Sequence, residues 1–298
     1  MLLLLAACSK SEDEPSPGEK PGEPSASERN LKADLQELAE NSTFKIWLCS
    51  HRGNTQKGIE DGVPENSLKA IDRAITVGTN MIEVDVRTTS DGVLVLMHDK
   101  TIERTTNGSG TLSSISYEKL KQYKLKDAQG NLTEESIPTL EEALKRGKGK
   151  IYFNLDIANK DIPARKIASL IQGLQMEDEI LLYVSTDRSY ASDLQVENKN
   201  LLLHPMVKNS DDIAYFSSHI VGIQVFQLST SDAISGTLAK EIKEKGGLTF
   251  SNIVGSNDTN IVAGNYSGLV NMVNKRINLV QTDYTELADA YLKSKGYR

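Results

Sequence analysis

Short apolar runs alternate with amphipathic stretches along most of this chain, and that alternation limits what it can fold into. Candidate strands lie at residues 45–50, 81–87, 93–97, 151–157, 179–184, 201–204, 221–226, 248–252 and 277–282. Amphipathic stretches lie at 67–77, 140–145, 163–174, 233–245, 261–273 and 286–292. Strands regularly separated by helices build parallel sheets, because a parallel pair needs a crossover. The run 93–97 follows 81–87 too closely for a helix to intervene, so it reads as a hairpin or extension beside the second strand. Eight strand–helix units remain, the number in a (β/α)8 (TIM) barrel. An open doubly wound sheet is the alternative. Asn107-Gly108-Ser109-Gly110 lends it no dinucleotide loop, since it neither follows a strand nor opens a helix.

The length of 298 residues suits such a barrel, and 38% hydrophobic with 25% charged residues suits a globular core. A net charge of −7 and the lack of a basic stripe argue against a nucleic-acid partner. The barrel domain is expected over residues 31–298. Before it, residues 9–30 hold four of the eight prolines and almost nothing apolar, the composition of a disordered tether. Residues 1–8 end in Leu5-Ala6-Ala7-Cys8, which resembles the lipobox of bacterial lipoproteins. Cys8 is therefore the expected lipidation site and the anchor to a membrane of the cell envelope, on the periplasmic or the surface side of the outer membrane. The acidic run Glu12-Asp13-Glu14 resembles the surface-export signals of some of these lipoproteins. The other cysteine, Cys49, then has no disulfide partner.

The chemistry concentrates between residues 51 and 99. Side chains alternate faces along a strand. In the second strand Glu83, Asp85 and Arg87 share one face, and Ile82, Val84 and Val86 share the other. The apolar face packs on helices, which leaves the charged face for the barrel interior. Asp156, on the next barrel strand, shares a face with Asn154 and Tyr152. Carboxylates this close repel unless a cation sits among them, and oxygen donors suit Ca²⁺ or Mg²⁺. Glu83 and Asp85 also have the residue types of a glycosidase pair, but neighbours on one strand approach a sugar from the same side. That reading also leaves His51 and His98 without a role. These two histidines each follow an apolar strand and flank the carboxylates, an arrangement suited to an acid–base pair that splits a phosphodiester. His204, which precedes Pro205, is a further candidate for the mouth, and His219 is expected on the surface. Arg52 has the fork that binds phosphate, or else it pairs with Glu65 or Asp99. Gly53 lets the chain turn sharply past the site. Glu65 is a site residue or an anchor for Arg52, and Asn66 or Ser67 caps the helix that follows.

These residues together resemble the glycerophosphodiester phosphodiesterase family. The resemblance rests on His51-Arg52-Gly53, Pro64-Glu65-Asn66, Glu83-Val84-Asp85, and Asp91-Gly92 leading into His98-Asp99. It extends through Arg104-Thr105-Thr106, Gly108, the helix start at residues 137–142 and the terminal Gln281-Thr282-Asp283-Tyr284. It implies a (β/α)8 barrel that hydrolyses glycerophosphodiesters to an alcohol and glycerol 3-phosphate with a divalent cation. Glu83 and Asp85 would then be metal ligands, joined by Asp156, with His51 and His98 the acid–base pair and Arg52 on the phosphate. In many members the substrate's own glycerol hydroxyl attacks first. Two departures stand out. The third strand usually reads Ile-Glu-Ile-Lys, and here it reads Leu155-Asp156-Ile157-Ala158, which shortens one ligand and removes a cation; Lys160 lies beyond the strand's end. The seventh strand usually carries a tryptophan, and here it reads Leu248-Thr249-Phe250-Ser251-Asn252. A non-catalytic surface protein that binds phosphodiesters, or a phospholipase acting on another phosphodiester lipid, are the competing readings.

Overall fold

The computed structural model describes residues 29–222, 224–229 and 235–298. Cys8 and most of the expected tether lie outside the described residues. Eleven strands run in chain order: β1 Trp47–Ser50, β2 Met81–Thr88, β3 Leu94–Leu96, β4 Lys124–Lys126, β5 Leu132–Ser136, β6 Tyr152–Asp156, β7 Ile180–Ser185, β8 Leu202–Pro205, β9 Val225–Gln227, β10 Leu248–Asn252 and β11 Leu279–Thr282. Eight of them form a parallel sheet in the order β8-β7-β6-β2-β1-β11-β10-β9. A parallel bridge from Met206 to Gln227 brings the two ends together, so the sheet is a nearly closed TIM-like barrel. β3 pairs antiparallel with β2, Val86 opposite Leu96, so the short run after the second strand is a hairpin arm.

The two faces of each strand explain the layers. Ile82, Val84 and Val86 of β2, with Phe153 and Leu155 of β6, point outward into the main core beneath the helices. The inward positions change character along the strands. At the strand starts they are apolar: Cys49, Met81, Tyr152, Leu181, Leu202, Val225, Leu248 and Leu279 form one cluster. Two residues further on most are polar, with Glu83, Asn154, Tyr183, His204, Gln227 and Gln281 around a cavity of about 100 Å³ and Phe250 the apolar exception. The barrel is therefore dry at its base and polar at its C-terminal end, where sites on this fold are built.

The helix Leu31–Glu40 closes the base. Leu31, Leu35 and Leu38, spaced to share one face, are buried in the lower cluster. Asn30 caps its start by accepting from the Ala33 amide at 2.9 Å. Three features depart from the expected elements. The run expected at 221–226 starts later, as β9 at Val225. The stretch 261–273 is two helices, Ser256–Val262 and Ser267–Asn274, broken where Gly264 takes φ 76°. The antiparallel β4–β5 hairpin has no counterpart in the strand pattern read from sequence; it belongs to the excursion between β2 and β6, whose own small core contains Val95, Met97, Ile102, Leu112, Leu125 and Ile137. No described helix is long and apolar enough to cross a membrane.

Candidate active site

Register puts the three carboxylates together. β2 and β6 pair in parallel with Asp85 opposite Asp156, and Glu83 sits two residues below on the same face. Carboxylate oxygens of Glu83, Asp85 and Asp156 lie within 4.8 Å of one another. Among the described residues Glu83 is the carboxylate of the three without an ion-pair partner; it accepts the Arg52 amide N–H at 3.0 Å. Burial, and then the charge of Asp85, push its pKa up to about 8. Asp85 is buried as well, yet Lys160 and Arg52 outweigh that cost and hold it well below the usual carboxylate range. Asn66 clamps Asp85 from both sides, its amide donating to the carboxylate at 3.0 Å and its carbonyl accepting the Asp85 N–H at 3.1 Å. Ser67, not Asn66, caps the next helix, accepting from the Ala70 amide at 3.0 Å. Three hard-oxygen groups, Glu83 and Asp85 buried and Asp156 half-buried, with no ion pair to Glu83 among the described residues, fit a divalent cation.

Lys160 supplies the cation that Ala158 lacks. Its Nζ donates to Asp85 Oδ1 at 2.9 Å and lies 3.1 Å from Asp156 Oδ2. It reaches back because Asn159 and Asp161, on either side, adopt φ 55° and 53°. Asn and Asp tolerate that left-handed region better than most residues. The turn folds the chain over the end of β6, and Lys160 also caps the Asp156 carbonyl at 3.0 Å.

At the end of β1 the chain makes a tight turn over His51–Gly53 with Arg52 at φ 54° and Gly53 at φ 75°. A side chain at position 53 would put its Cβ 2.8 Å from the Ala70 Cβ and 3.0 Å from Ile82 Cδ1, so glycine is required by space as well as by φ. This turn aims His51 at Asp283, with Nδ1 and Oδ1 2.9 Å apart. The pairing has a simple origin. Ser50 and Thr282 are register partners on β1 and β11, so the next residue of each strand emerges beside the other. Asn54 donates to the same Asp283 oxygen at 3.0 Å, and the buried Asp258 accepts the Asp283 amide at 2.6 Å and the Thr282 hydroxyl. Burial lowers the His51 pKa, but the Asp283 hydrogen bond and the Glu83 charge outweigh it, and the net shift is upward. Sequence reasoning assigned Asp283 and Asp258 no role; the only signal was a Thr-Asp pair closing the last strand.

His98 is held in the same way, its Nδ1 2.6 Å from Asp99 Oδ1. Arg104 donates to Asp99 at 2.5 Å and to both oxygens of Glu65, at 3.0 and 2.8 Å. Glu65 in turn accepts from Arg52 at 3.0 Å, and Arg52 Nε lies 3.4 Å from Asp85. Glu65 is thus an anchor between two guanidiniums. Burial raises its pKa, but Arg104 and Arg52 more than reverse this. A continuous polar network, Asp99–Arg104–Glu65–Arg52–Asp85, links the support of His98 to the carboxylates, and Arg104, read from sequence only as part of a motif, is one of its joints. His204 is fully buried in the barrel cavity, its ring 4.5 Å from that of Phe250, and burial drives its pKa down to about 3. His204 is therefore neutral at ordinary pH. His219 is exposed at the end of an outer helix, stacked on Tyr215.

The site's geometry agrees with a family match. The model of the glycerophosphoryl diester phosphodiesterase family matches residues 51–280. The chain belongs to this family. Glycerophosphodiester phosphodiesterase 1 of Mus musculus is 42% identical over 105 residues, 34% of this chain and 30% of the mouse protein. A glycerophosphodiester phosphodiesterase of Caldanaerobacter subterraneus is 38% identical over 116 residues, 38% of this chain and 46% of its own length. The chain therefore matches less than half the length of either relative. Among solved structures, a glycerophosphoryl diester phosphodiesterase from Parabacteroides distasonis superposes with a TM-score of 0.76 at 26% identity, covering 90% of this chain and 93% of that one. A phosphodiesterase from Oleispira antarctica, in complex with the product sn-glycerol-3-phosphate, shares the fold at a TM-score of 0.67 and 20% identity, covering 84% and 98%.

Proposed function

We propose that this chain hydrolyses glycerophosphodiesters to an alcohol and glycerol 3-phosphate. The observation that carries the reading is the pair of histidines, each with Nδ1 held by a carboxylate, set around three converging carboxylates. With Nδ1 so engaged, the Nε2 of each ring is free to exchange a proton. Glu83, Asp85 and Asp156 would hold a divalent cation, Ca²⁺ or Mg²⁺. When bound, that cation supplies the positive charge that the diester and an ionising hydroxyl need. The chain's own residues do the rest. His51 takes the proton of the attacking hydroxyl, the substrate's own glycerol hydroxyl in the mode common in the family. His98 gives a proton to the alcohol oxygen as its bond to phosphorus breaks. Arg52, anchored by Glu65, presents its guanidinium towards the phosphate. If the glycerol hydroxyl attacks, the cyclic phosphate is then opened by water with the two histidines in exchanged roles.

Cys8 is the lipidation site in this proposal, and the protein is a lipoprotein of the cell envelope. The lipobox-like Leu5-Ala6-Ala7-Cys8 supports this. The first described residues enter at the base: Arg29 lies over the Tyr152 ring, and Tyr152 donates to Asp34 at 2.6 Å.

The deciding experiment incubates purified protein with a panel of glycerophosphodiesters and Ca²⁺, Mg²⁺ or Mn²⁺, with products followed by phosphorus NMR. Release of glycerol 3-phosphate, abolished by EDTA and reduced at least a hundredfold in His98→Ala, is expected. Binding without turnover on any diester would instead make the chain a non-catalytic binding protein. Incorporation of labelled palmitate, lost in Cys8→Ser, checks the anchor.

A further inference from the structure

A cleft of about 340 Å³ opens beside the acidic cluster, and two of its walls are shared with the site. Lys160 lines it while its Nζ holds Asp85 and Asp156. Arg87 lines it two residues beyond Asp85 on the same face of β2, and its Nε donates to the His98 carbonyl at 2.7 Å. The cleft therefore runs outward from the carboxylates on the His98 side. Its far wall comes from the segment after His98 and carries Lys100 and the hydroxyls of Thr111 and Ser113.

The charges in this wall are uneven. Lys160 is already committed to two carboxylates. Neither Arg87 nor Lys100 has an ion-pair partner among the described residues, and Asp161 is the only carboxylate in the lining. No aromatic side chain lines the cleft, so nothing there can cage a quaternary ammonium, which is recognised by ring faces. Unpaired cations beside hydroxyl groups instead suit an anionic, hydroxylated ligand.

We propose that this cleft is the subsite for the leaving alcohol, and that it selects diesters whose alcohol carries negative charge over those whose alcohol carries a quaternary ammonium. The inference rests on the hydrolytic reading above, because it takes His98 as the proton donor to the departing oxygen and places that oxygen at the cleft's inner end. Lys100 is the specificity-determining residue best suited to a test, since it touches none of the acid–base network.

Three diesters separate the possibilities: glycerophosphoinositol phosphate (anionic), glycerophosphoglycerol (neutral) and glycerophosphocholine (cationic). The expected kcat/KM order is anionic, neutral, cationic, with at least tenfold between the extremes and a gap that narrows as salt rises. Lys100→Glu should lower the anionic rate about tenfold, raise the cationic one and leave the neutral one within about twofold. Equal rates on the three diesters, or an equal effect of Lys100→Glu on all of them, overturns the proposal. A second measurement does not depend on turnover: calorimetric binding of inositol phosphate, the free alcohol, to the wild type and to Lys100→Glu. Binding weakened about tenfold by the substitution supports the cleft even if no diester is cleaved, in which case only the hydrolytic reading fails. No binding, or equal binding to both proteins, refutes the cleft.

Discussion

Replacing Asp283 by Asn removes the negative charge behind His51 and keeps an atom at each carboxylate position. Asp283 Oδ1 meets both His51 Nδ1, at 2.9 Å, and the Asn54 amide, at 3.0 Å. An asparagine carbonyl in that place accepts from both, so the geometry survives and only the charge is lost. A hydrogen bond to a charged partner is worth about 1.5–3 kcal/mol. At about 1.4 kcal/mol per tenfold, the loss predicts a fall of roughly 10–100-fold in kcat/KM. The pH profile carries a sharper signature. Asp283 favours the imidazolium and raises the His51 pKa above its ordinary 6.5, so His51 must wait for higher pH to act as a base. In Asp283→Asn the acid limb of kcat/KM therefore moves to lower pH. Stability follows the same linkage. The raised imidazole stabilises the fold below 6.5 and loses that contribution as pH rises through its folded value; the lowered Asp283 stabilises above 3.8 and loses it as pH falls through its folded value. The Tm gap between wild type and Asp283→Asn is thus widest between those two values. The assay is initial rate against pH on a cleaved diester, with a melting curve at each pH. A folded variant with an unmoved acid limb and a rate within twofold of wild type would refute the role given to Asp283.

Gly53→Ala should destabilise the fold by about 2–4 kcal/mol, since it adds a Cβ 2.8 Å from its neighbour to the cost of a left-handed residue, and should lower Tm by roughly 5–15 °C; a Tm within two or three degrees of wild type would show that the turn relaxes freely. Lys160→Met leaves the acidic cluster with one cation fewer, and removing one partner of the buried Lys160–Asp85 pair costs about 3–5 kcal/mol. The cation-free variant should melt well below wild type, and added Ca²⁺ or Mg²⁺ should raise its Tm by more than it raises that of wild type. Equal increments in the two proteins would mean that Lys160 does not balance the cluster.

Much of this protein is written in local pattern. Alternation within 81–87 was enough to send Glu83 and Asp85 inward and Val84 outward, because side-chain direction in a strand depends only on position within that strand. The place of His51 and His98 just after apolar runs likewise put both at the C-terminal end of the barrel. The helix start that the resemblance put at 137–142 falls there, with Thr139 and Glu142 forming a reciprocal capping box. What the tertiary structure alone decided involves residues that neither period nor motif connects. Asp283 supports His51 from 232 positions away because the ring closes β11 onto β1. Lys160 replaces the cation missing at Ala158 because two left-handed residues turn the chain back, a backbone choice that leaves no periodic trace. Arg104 reaches Glu65 and Asp99 only because the excursion between β2 and β6 folds over the mouth. The residue types of the chemistry were thus determined along the chain. Their assembly was decided in three dimensions: closure of the barrel set Asp283 behind His51, the turn after β6 carried Lys160 to the acidic cluster, and the excursion over the mouth joined Arg104 to Glu65, at distances that sequence separation does not set.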